Sequence, residues 1–107
     1  MMIDVNKAVN SCVRTGKTII GAEKTLEAVQ AGRARLVIIA SNAPKPIRED
    51  LERAAALSKI PTHIYSGSKI DLGTACGKPY GVSTMAIREA GDSEILKLVE
   101  DSDVQQD

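Results

Sequence analysis

The 107-residue sequence has almost no aromatic side chains: it contains no Trp or Phe and only two Tyr. Hydrophobic residues still make up 43% of the chain, so Val, Ile, Leu and Ala must fill the interior. Because domains cluster at roughly 100 to 150 residues, a chain of this length holds one core. We therefore predict a single domain over residues 1–100, followed by a frayed acidic tail at residues 101–107.

Soft metal ligands are also scarce. The only cysteines are Cys12 and Cys76, no CxxC pair occurs, and His63 is the single histidine. Two cysteines and one histidine are too few ligands for a structural zinc site, and we expect both thiols to be reduced. No histidine neighbours either cysteine in the sequence, so packing roles are favoured over nucleophilic or acid–base chemistry. The sequence predicts no enzyme activity, no metal and no cofactor.

Long apolar runs are absent, and charge is unevenly distributed. No run approaches the roughly 20 residues that cross a bilayer, and the segment MMIDVNKAVN lacks a signal-peptide pattern. We therefore expect a cytoplasmic protein without a membrane partner. The net charge is zero, but thirteen bases and eight acids precede Asp92, whereas one base and six acids follow from it. A basic body with an acidic tail is compatible with an RNA partner.

Apolar periodicity predicts alternating helices and strands. The uninterrupted run LVIIA at residues 36–40 is typical of a strand covered on both faces. Turn and capping residues separate the segments, with Ser68 and Asp71 resembling a capping box. Helices are predicted at residues 4–14, from 22 to the stop at Gly32, at about 47–58, after Ser68, and at 94–99; strands at 17–20, 36–40, 62–65 and 82–87. The predicted fold class is α/β: a three-layer α/β/α sandwich with a four-stranded mixed sheet, in the order α-β-α-β-α-β-α-β-α.

The segment LGTACGKPYG, residues 72–81, superficially resembles a nucleotide-binding phosphate loop. Such a loop needs four residues between its glycines and a Ser or Thr after the lysine, because that hydroxyl binds the metal. Here three residues separate Gly73 from Gly77, and Pro79 follows Lys78. Nucleotide hydrolysis is therefore disfavoured. The glycines are better explained by tight turns and close approach of the backbone to a partner.

Three segments are predicted to meet where strands lead into helices, which is where α/β sheets usually build binding sites. They are residues 21–25, 41–48 and 77–81. For each residue alone, a cap, a turn or a solvated charge is an equally good explanation, and their convergence favours RNA binding. The candidate RNA-binding residues are Gly21, Ala22, Glu23, Lys24, Thr25, Asn42, Ala43, Pro44, Lys45, Arg48, Gly77, Lys78, Pro79 and Tyr80.

Each segment offers a different kind of contact. Gly21 leaves backbone N–H groups free at a helix start, where the dipole is positive. The Asn42 amide can bond bidentately, and Lys45 and Arg48 are cations for phosphates. Tyr80 lies in a Gly/Pro loop, where its ring can stack on an unpaired base.

Three blocks in a fixed order resemble a known family. They are GAEKTLEAVQAGRARLVIIASNAP at residues 21–44, GTACGKPYGVSTMAI at 73–87 and AGDSEIL at 90–96. Together they resemble the L-thirty-e branch of the family that also contains the L-seven-Ae kink-turn binders, over residues 5–99. The resemblance implies an α/β/α sandwich that binds large-subunit ribosomal RNA at a kink-turn, an internal loop bent sharply at tandem sheared G·A pairs.

The resemblance also implies roles for individual residues. Gly21 occupies the family's glycine, Lys24 and its neighbours the groove-reading turn, Asn42 the family's asparagine, and Tyr80 the aromatic loop position. Glu23 departs from the family pattern, which implies either a shifted contact in that turn or a weaker affinity of the protein on its own for RNA. The expected protein is monomeric off the ribosome and takes no small-molecule substrate, and neighbouring ribosomal proteins are candidate partners. The alternatives are a family member in a non-ribosomal ribonucleoprotein and a protein-interaction module that docks through its acidic tail.

Overall fold

A computed structural model describes residues 4–98, in which helices and strands alternate as predicted. The helices are α1 (Val5–Thr15), α2 (Ala22–Gln30), α3 (Lys45–Ser58) and α4 (Lys69–Ala75). The strands are β1 (Lys17–Ile20), β2 (Leu36–Ala40), β3 (Thr62–Tyr65) and β4 (Thr84–Glu89). The element order is therefore confirmed from α1 to β4. Of the predicted fifth helix, only residues 97 and 98 have helical backbone; Val99 and the acidic tail lie outside the described residues.

Several element boundaries differ by one or two residues from the sequence prediction, and two of these differences have a clear structural cause. Helix α3 begins at Lys45 rather than near Ile47, because Pro44 is its N-cap and Pro46 lies in its first turn, where the missing N–H costs nothing. Strand β4 begins at Thr84 rather than Val82. The backbone N–H of Val82 instead donates to the Lys69 carbonyl, 2.9 Å away, so this part of the chain is bound to α4 before it joins the sheet.

The sheet is mixed, as predicted, and its strand order is β1-β4-β2-β3. Strands β2 and β3 are parallel, whereas β4 runs antiparallel to both β1 and β2. Strand β1 consequently runs in the same direction as β2 and β3. The carboxyl ends of these three strands therefore share one end of the sheet with the start of β4.

Helices cover both faces of the sheet. On one face, α1 and α4 pack against Leu36 and Ile38; on the other, α2 and α3 pack against Val37 and Ile39. All five residues of β2 are buried, as expected for a strand between two helical layers. Within residues 4–98, no helix is long and apolar enough to cross a membrane.

Candidate nucleic-acid interface

Four connections meet at the end of the sheet where β1, β2 and β3 finish. We call this surface the rim: residues 20–24, 41–45, 66–70 and 80–83. Backbone hydrogen bonds join the connections directly: Gly21 N to Thr84 O (3.1 Å), Ala40 N to Ser83 O (2.8 Å), Ser41 N to Gly67 O (3.1 Å) and Val82 N to Lys69 O (2.9 Å). The turns at Gly21 and Asn42 and the chain that follows Tyr80 are thus brought side by side.

Gly21 lies in the rim as the N-cap of α2. Its φ of 115° and ψ of 148° lie in a region that is essentially restricted to glycine. Within residues 4–98 no side chain caps the helix, so the first-turn N–H groups of residues 22–24 have no acceptor in this part of the chain. A Cβ at Gly21 would meet no atom within 4 Å. The backbone here is therefore open to an approaching ligand, and the dipole favours a negatively charged one.

The residues that follow Gly21 divide between the surface and the core. Glu23 and Lys24 are exposed and have no ion-pair partner within residues 4–98, and Ala22 is half-buried. Thr25 is fully buried, and its Oγ1 has no hydrogen-bond partner in the described chain. The face of α2 that carries Thr25, Ala28 and Val29 packs on the sheet. The Thr25 side chain therefore points into the core of the protein and away from the rim surface in this structure.

Asn42 is exposed, but half of its amide is already used. Its Oδ1 accepts a hydrogen bond from the backbone N–H of Lys69 at 2.7 Å, which satisfies one of the donors left free at the start of α4. The Nδ2 group makes no hydrogen bond to the described residues and is available to a ligand. The structure thus favours donation through Nδ2 over the predicted bidentate use of the amide.

The flank after Asn42 is balanced in charge rather than cationic. Lys45 Nζ lies 3.7 Å from a Glu49 oxygen, and Arg48 Nε lies 3.4 Å from a Glu52 oxygen. Exposed pairs of this kind contribute about 0 to 1 kcal/mol, so a phosphate can replace the carboxylate as partner. Pro44 is exposed, whereas the Ala43 side chain packs against the core beneath α2 and α3. Ala43 therefore supports the turn.

The segment 77–81 is divided between the two ends of α4. Gly77, with φ of 75°, donates its N–H to Thr74 O, and Lys78 N donates to Gly73 O. These bonds end the helix, so Gly77 and Lys78 lie at its carboxyl end, about 10 Å along α4 from the amino end that belongs to the rim. The chain then returns through Pro79, and Gly81 approaches Lys69 and Ile70. The structure therefore brings the Tyr80 end of the segment to the rim and leaves Gly77 and Lys78 at the other end of α4.

The Tyr80 loop depends on close backbone packing against α4. A Cβ at Gly73 would lie 2.0 Å from the Tyr80 carbonyl oxygen, so only glycine fits there. The Tyr80 ring remains 56% exposed and is available for stacking. Since residues 72–75 are helical, the segment LGTACGKPYG is a helix end and not a phosphate loop. Gly73 therefore serves internal packing.

One connection of the rim was not among the segments predicted from the sequence. Residues 66–70 link β3 to α4, and they carry the cation Lys69 and the exposed Ile70, whose side chain is 64% accessible. The capping box of Ser68 and Asp71, which was predicted, fixes the start of α4 here. This connection reaches the rim because β3 runs parallel to β2, so that the carboxyl ends of both strands lie at the same end of the sheet.

Burial affects the titration of three groups outside the rim. Burial raises the pKa of both the Cys12 and Cys76 thiols to about 11. A smaller electrostatic effect of Cys76 also raises the pKa of Cys12, and a smaller effect of Lys78 lowers that of Cys76. Burial also lowers the pKa of His63, which favours its neutral form. Neither thiol is poised as a nucleophile, since the thiolate is the reactive species.

Comparison with known proteins agrees with this geometry. The model of the ribosomal protein L7Ae/L30e/S12e/Gadd45 family matches residues 3–97. The chain is similar to large ribosomal subunit protein eL30 of Methanobrevibacter smithii, with 43% identity over 89% of this chain and 96% of the relative. It is 46% identical to that of Pyrobaculum neutrophilum, over 92% of this chain and 98% of the relative. A solved structure of a protein with unknown function from Bacillus halodurans is 26% identical and aligns with a TM-score of 0.79, covering 94% of this chain and 99% of that one.

Proposed function

The chain belongs to the ribosomal protein L7Ae/L30e/S12e/Gadd45 family, and from this premise we propose that it is a structural constituent of the large ribosomal subunit. In this role it binds ribosomal RNA in the cytoplasmic ribosome and catalyses no reaction. Support comes from the relatives named large ribosomal subunit protein eL30, which match along almost their whole length.

The finer proposal is that the rim binds a kink-turn. The observation that carries it is the meeting, at one end of the sheet, of the free N–H groups of residues 22–24 that follow Gly21, the Nδ2 group of Asn42 and the exposed residue Tyr80. Sequence-specific RNA recognition targets unstacked bases, which need base-edge donors and flat surfaces. A bent internal loop displays such bases next to closely spaced phosphates. We also propose that residues 1–100 form one RNA-binding domain that is monomeric off the ribosome.

Binding to matched RNAs tests this function. A kink-turn RNA and an unbent duplex of equal length and charge would be titrated with the protein, with fluorescence anisotropy as the readout. We expect clear preference for the kink-turn, with a log–log salt slope of roughly −2 to −4 if a few phosphates are neutralised. Equal affinity for both RNAs would contradict the proposal, since it would leave only nonspecific attraction.

Tyr80→Ala tests the position of the site. Loss of one stacking ring should weaken kink-turn binding by about 1 to 3 kcal/mol, without lowering the free energy of unfolding, because the ring is half exposed. Leu57→Ala is the matched control: Leu57 is an 81% exposed apolar residue in the last turn of α3, far from the rim. If Tyr80→Ala binds like wild type, Tyr80 is not part of the interface.

A further inference from the structure

A groove of about 380 Å³ runs along the outer flank of α2, away from α3. It is lined by Ile19, Lys24, Glu27, Ala28, Ala31, Arg33 and Arg88. Three of these residues are cations and one is an acid, so the groove carries an excess of positive charge. Ile19, Ala28 and Ala31 form an apolar floor between them. This combination suits a ligand that is anionic along its edge.

The cations of the groove lack acidic partners. Lys24, Arg33 and Arg88 are exposed, and none of them forms an ion pair within residues 4–98. By contrast, the cations on the exposed face of α3 pair with Glu49, Glu52 and Asp50. Charges on α3 are thus neutralised within the protein, whereas those along the α2 groove remain available to an external anion.

The groove is continuous with the rim. Lys24 belongs to both, because it lies in the first turn of α2, and Arg33 follows the carboxyl end of the same helix. The helix from Lys24 to its end at Gln30 is about 9 Å long, and Arg33 lies beyond that end. Cations spaced along the groove in this way suit a polymer with repeated phosphates.

Arg88 lies on the face of β4 that α2 covers. Side chains alternate along a strand, and Ala86 packs on the α2 and α3 face whereas Ile87 packs on the other. The sheet pairing is irregular at this point, since Lys17 opposes Glu89 and Thr18 opposes Ile87. Arg88 lines the groove together with Ile19 of β1, and its planar guanidinium can bind a phosphate in bidentate fashion.

We propose that this groove binds the phosphate backbone of an RNA helix that continues from the rim along α2. The inference rests on the proposed function and extends it: the rim holds the bent internal loop, and Arg33 and Arg88 hold the flanking stem. These contacts are to phosphates, so they position the stem without reading its sequence.

The test uses two kink-turn RNAs that share the same internal loop but have short or extended flanking stems. The variant is Arg33→Gln combined with Arg88→Gln. We expect it to bind the extended RNA about tenfold more weakly than wild type, with a salt slope shallower by about two units, roughly one for each phosphate contact removed. Its affinity for the short-stem RNA should be unchanged.

Two controls accompany this variant. Lys7→Gln combined with Arg14→Gln removes the same charge from α1, on the opposite face of the sheet, and should leave both affinities at the wild-type value. Arg33→Lys combined with Arg88→Lys keeps the charge and should retain most of the salt slope. Thermal unfolding of every variant checks the fold.

The outcomes separate the two proposals. If wild type shows no preference for the kink-turn over an unbent duplex, the proposed function fails. If that preference is present but the Arg33/Arg88 glutamine variant binds the extended RNA like wild type, the groove inference is overturned. Equal losses on the short and extended RNAs, or equal losses in the α1 control, would also overturn it, because they indicate a general charge effect. A groove that instead serves an acidic protein partner would leave all RNA affinities unchanged.

Discussion

Asn42 allows a structural role and a binding role to be separated by two substitutions at one position. Its Oδ1 accepts a hydrogen bond from Lys69 N at 2.7 Å, whereas its Nδ2 makes no hydrogen bond to the described residues and is the group we assign to RNA. Asn42→Ala removes both groups. Asn42→Asp keeps an acceptor for Lys69 N, removes the donor and adds a negative charge.

The magnitudes follow from these contacts. Loss of the bond to Lys69 N should cost Asn42→Ala about 0.5 to 1.5 kcal/mol of unfolding free energy. Asn42→Asp should be as stable as wild type or more so, since a carboxylate at a helix start contributes about 0.3 to 1 kcal/mol. For kink-turn affinity, Asn42→Ala should lose about 1 to 3 kcal/mol. Asn42→Asp should lose at least as much, because it also repels phosphates.

The two measurements should therefore rank the proteins differently. In urea denaturation, Asn42→Asp should be as stable as wild type or more stable, and Asn42→Ala should be the least stable. In anisotropy titration, wild type should bind the kink-turn most tightly and Asn42→Asp most weakly. A merely structural Asn42 would give the same ranking in both assays. The reasoning is refuted if Asn42→Asp binds the kink-turn as tightly as wild type does.

Three further predictions concern the glycines and the thiols. Gly73→Ala places a Cβ 2.0 Å from the Tyr80 carbonyl oxygen; we expect about 1 to 3 kcal/mol of destabilisation by urea denaturation, and a wild-type midpoint would contradict this. The Cβ of Gly21→Ala meets no atom, but the alanine must adopt a φ of 115°. We therefore expect backbone strain to lower the free energy of unfolding by about 1 to 3 kcal/mol in urea denaturation. Cys12 and Cys76, with pKa near 11 in the fold against 9.0, should resist alkylation at pH 8 until the protein unfolds. The contribution of the two protonated thiols to the free energy of unfolding is complete below pH 9 and is lost as the pH rises towards 11. Replacing both cysteines with Ala should therefore make the free energy of unfolding fall less steeply between pH 9 and pH 11.

Local chemistry made much of the fold predictable. The run LVIIA predicted a strand buried on both faces, and all five of its residues are buried. Ser68 and Asp71 predicted the capping box that starts α4. These features depend on residues that are close in sequence, where side-chain pattern and backbone preference act directly. The strand order could not be obtained in this way, because it depends on pairing between distant segments.

The candidate site was predictable only in part. Gly21 and Asn42 follow strands that run in the same direction, so the sequence located them correctly. The inward direction of the Thr25 side chain could not be predicted, because one turn of α2 has an inner and an outer face and packing on the sheet selects which residues point inward. The distance of Gly77 and Lys78 from Gly21 and Asn42 could not be predicted either, because it depends on the length and direction of α4.

The sequence by itself determined the alternation of elements, the composition of the core and the chemical groups at the strand ends, because each of these follows from short-range patterns of side chains. Only the tertiary structure decided that β4 inserts between β1 and β2, that Asn42 caps α4 through its oxygen, and that Lys24, Arg33 and Arg88 line one groove. Those arrangements join residues far apart in the chain, and it is the packing of helices on the sheet that brings them together.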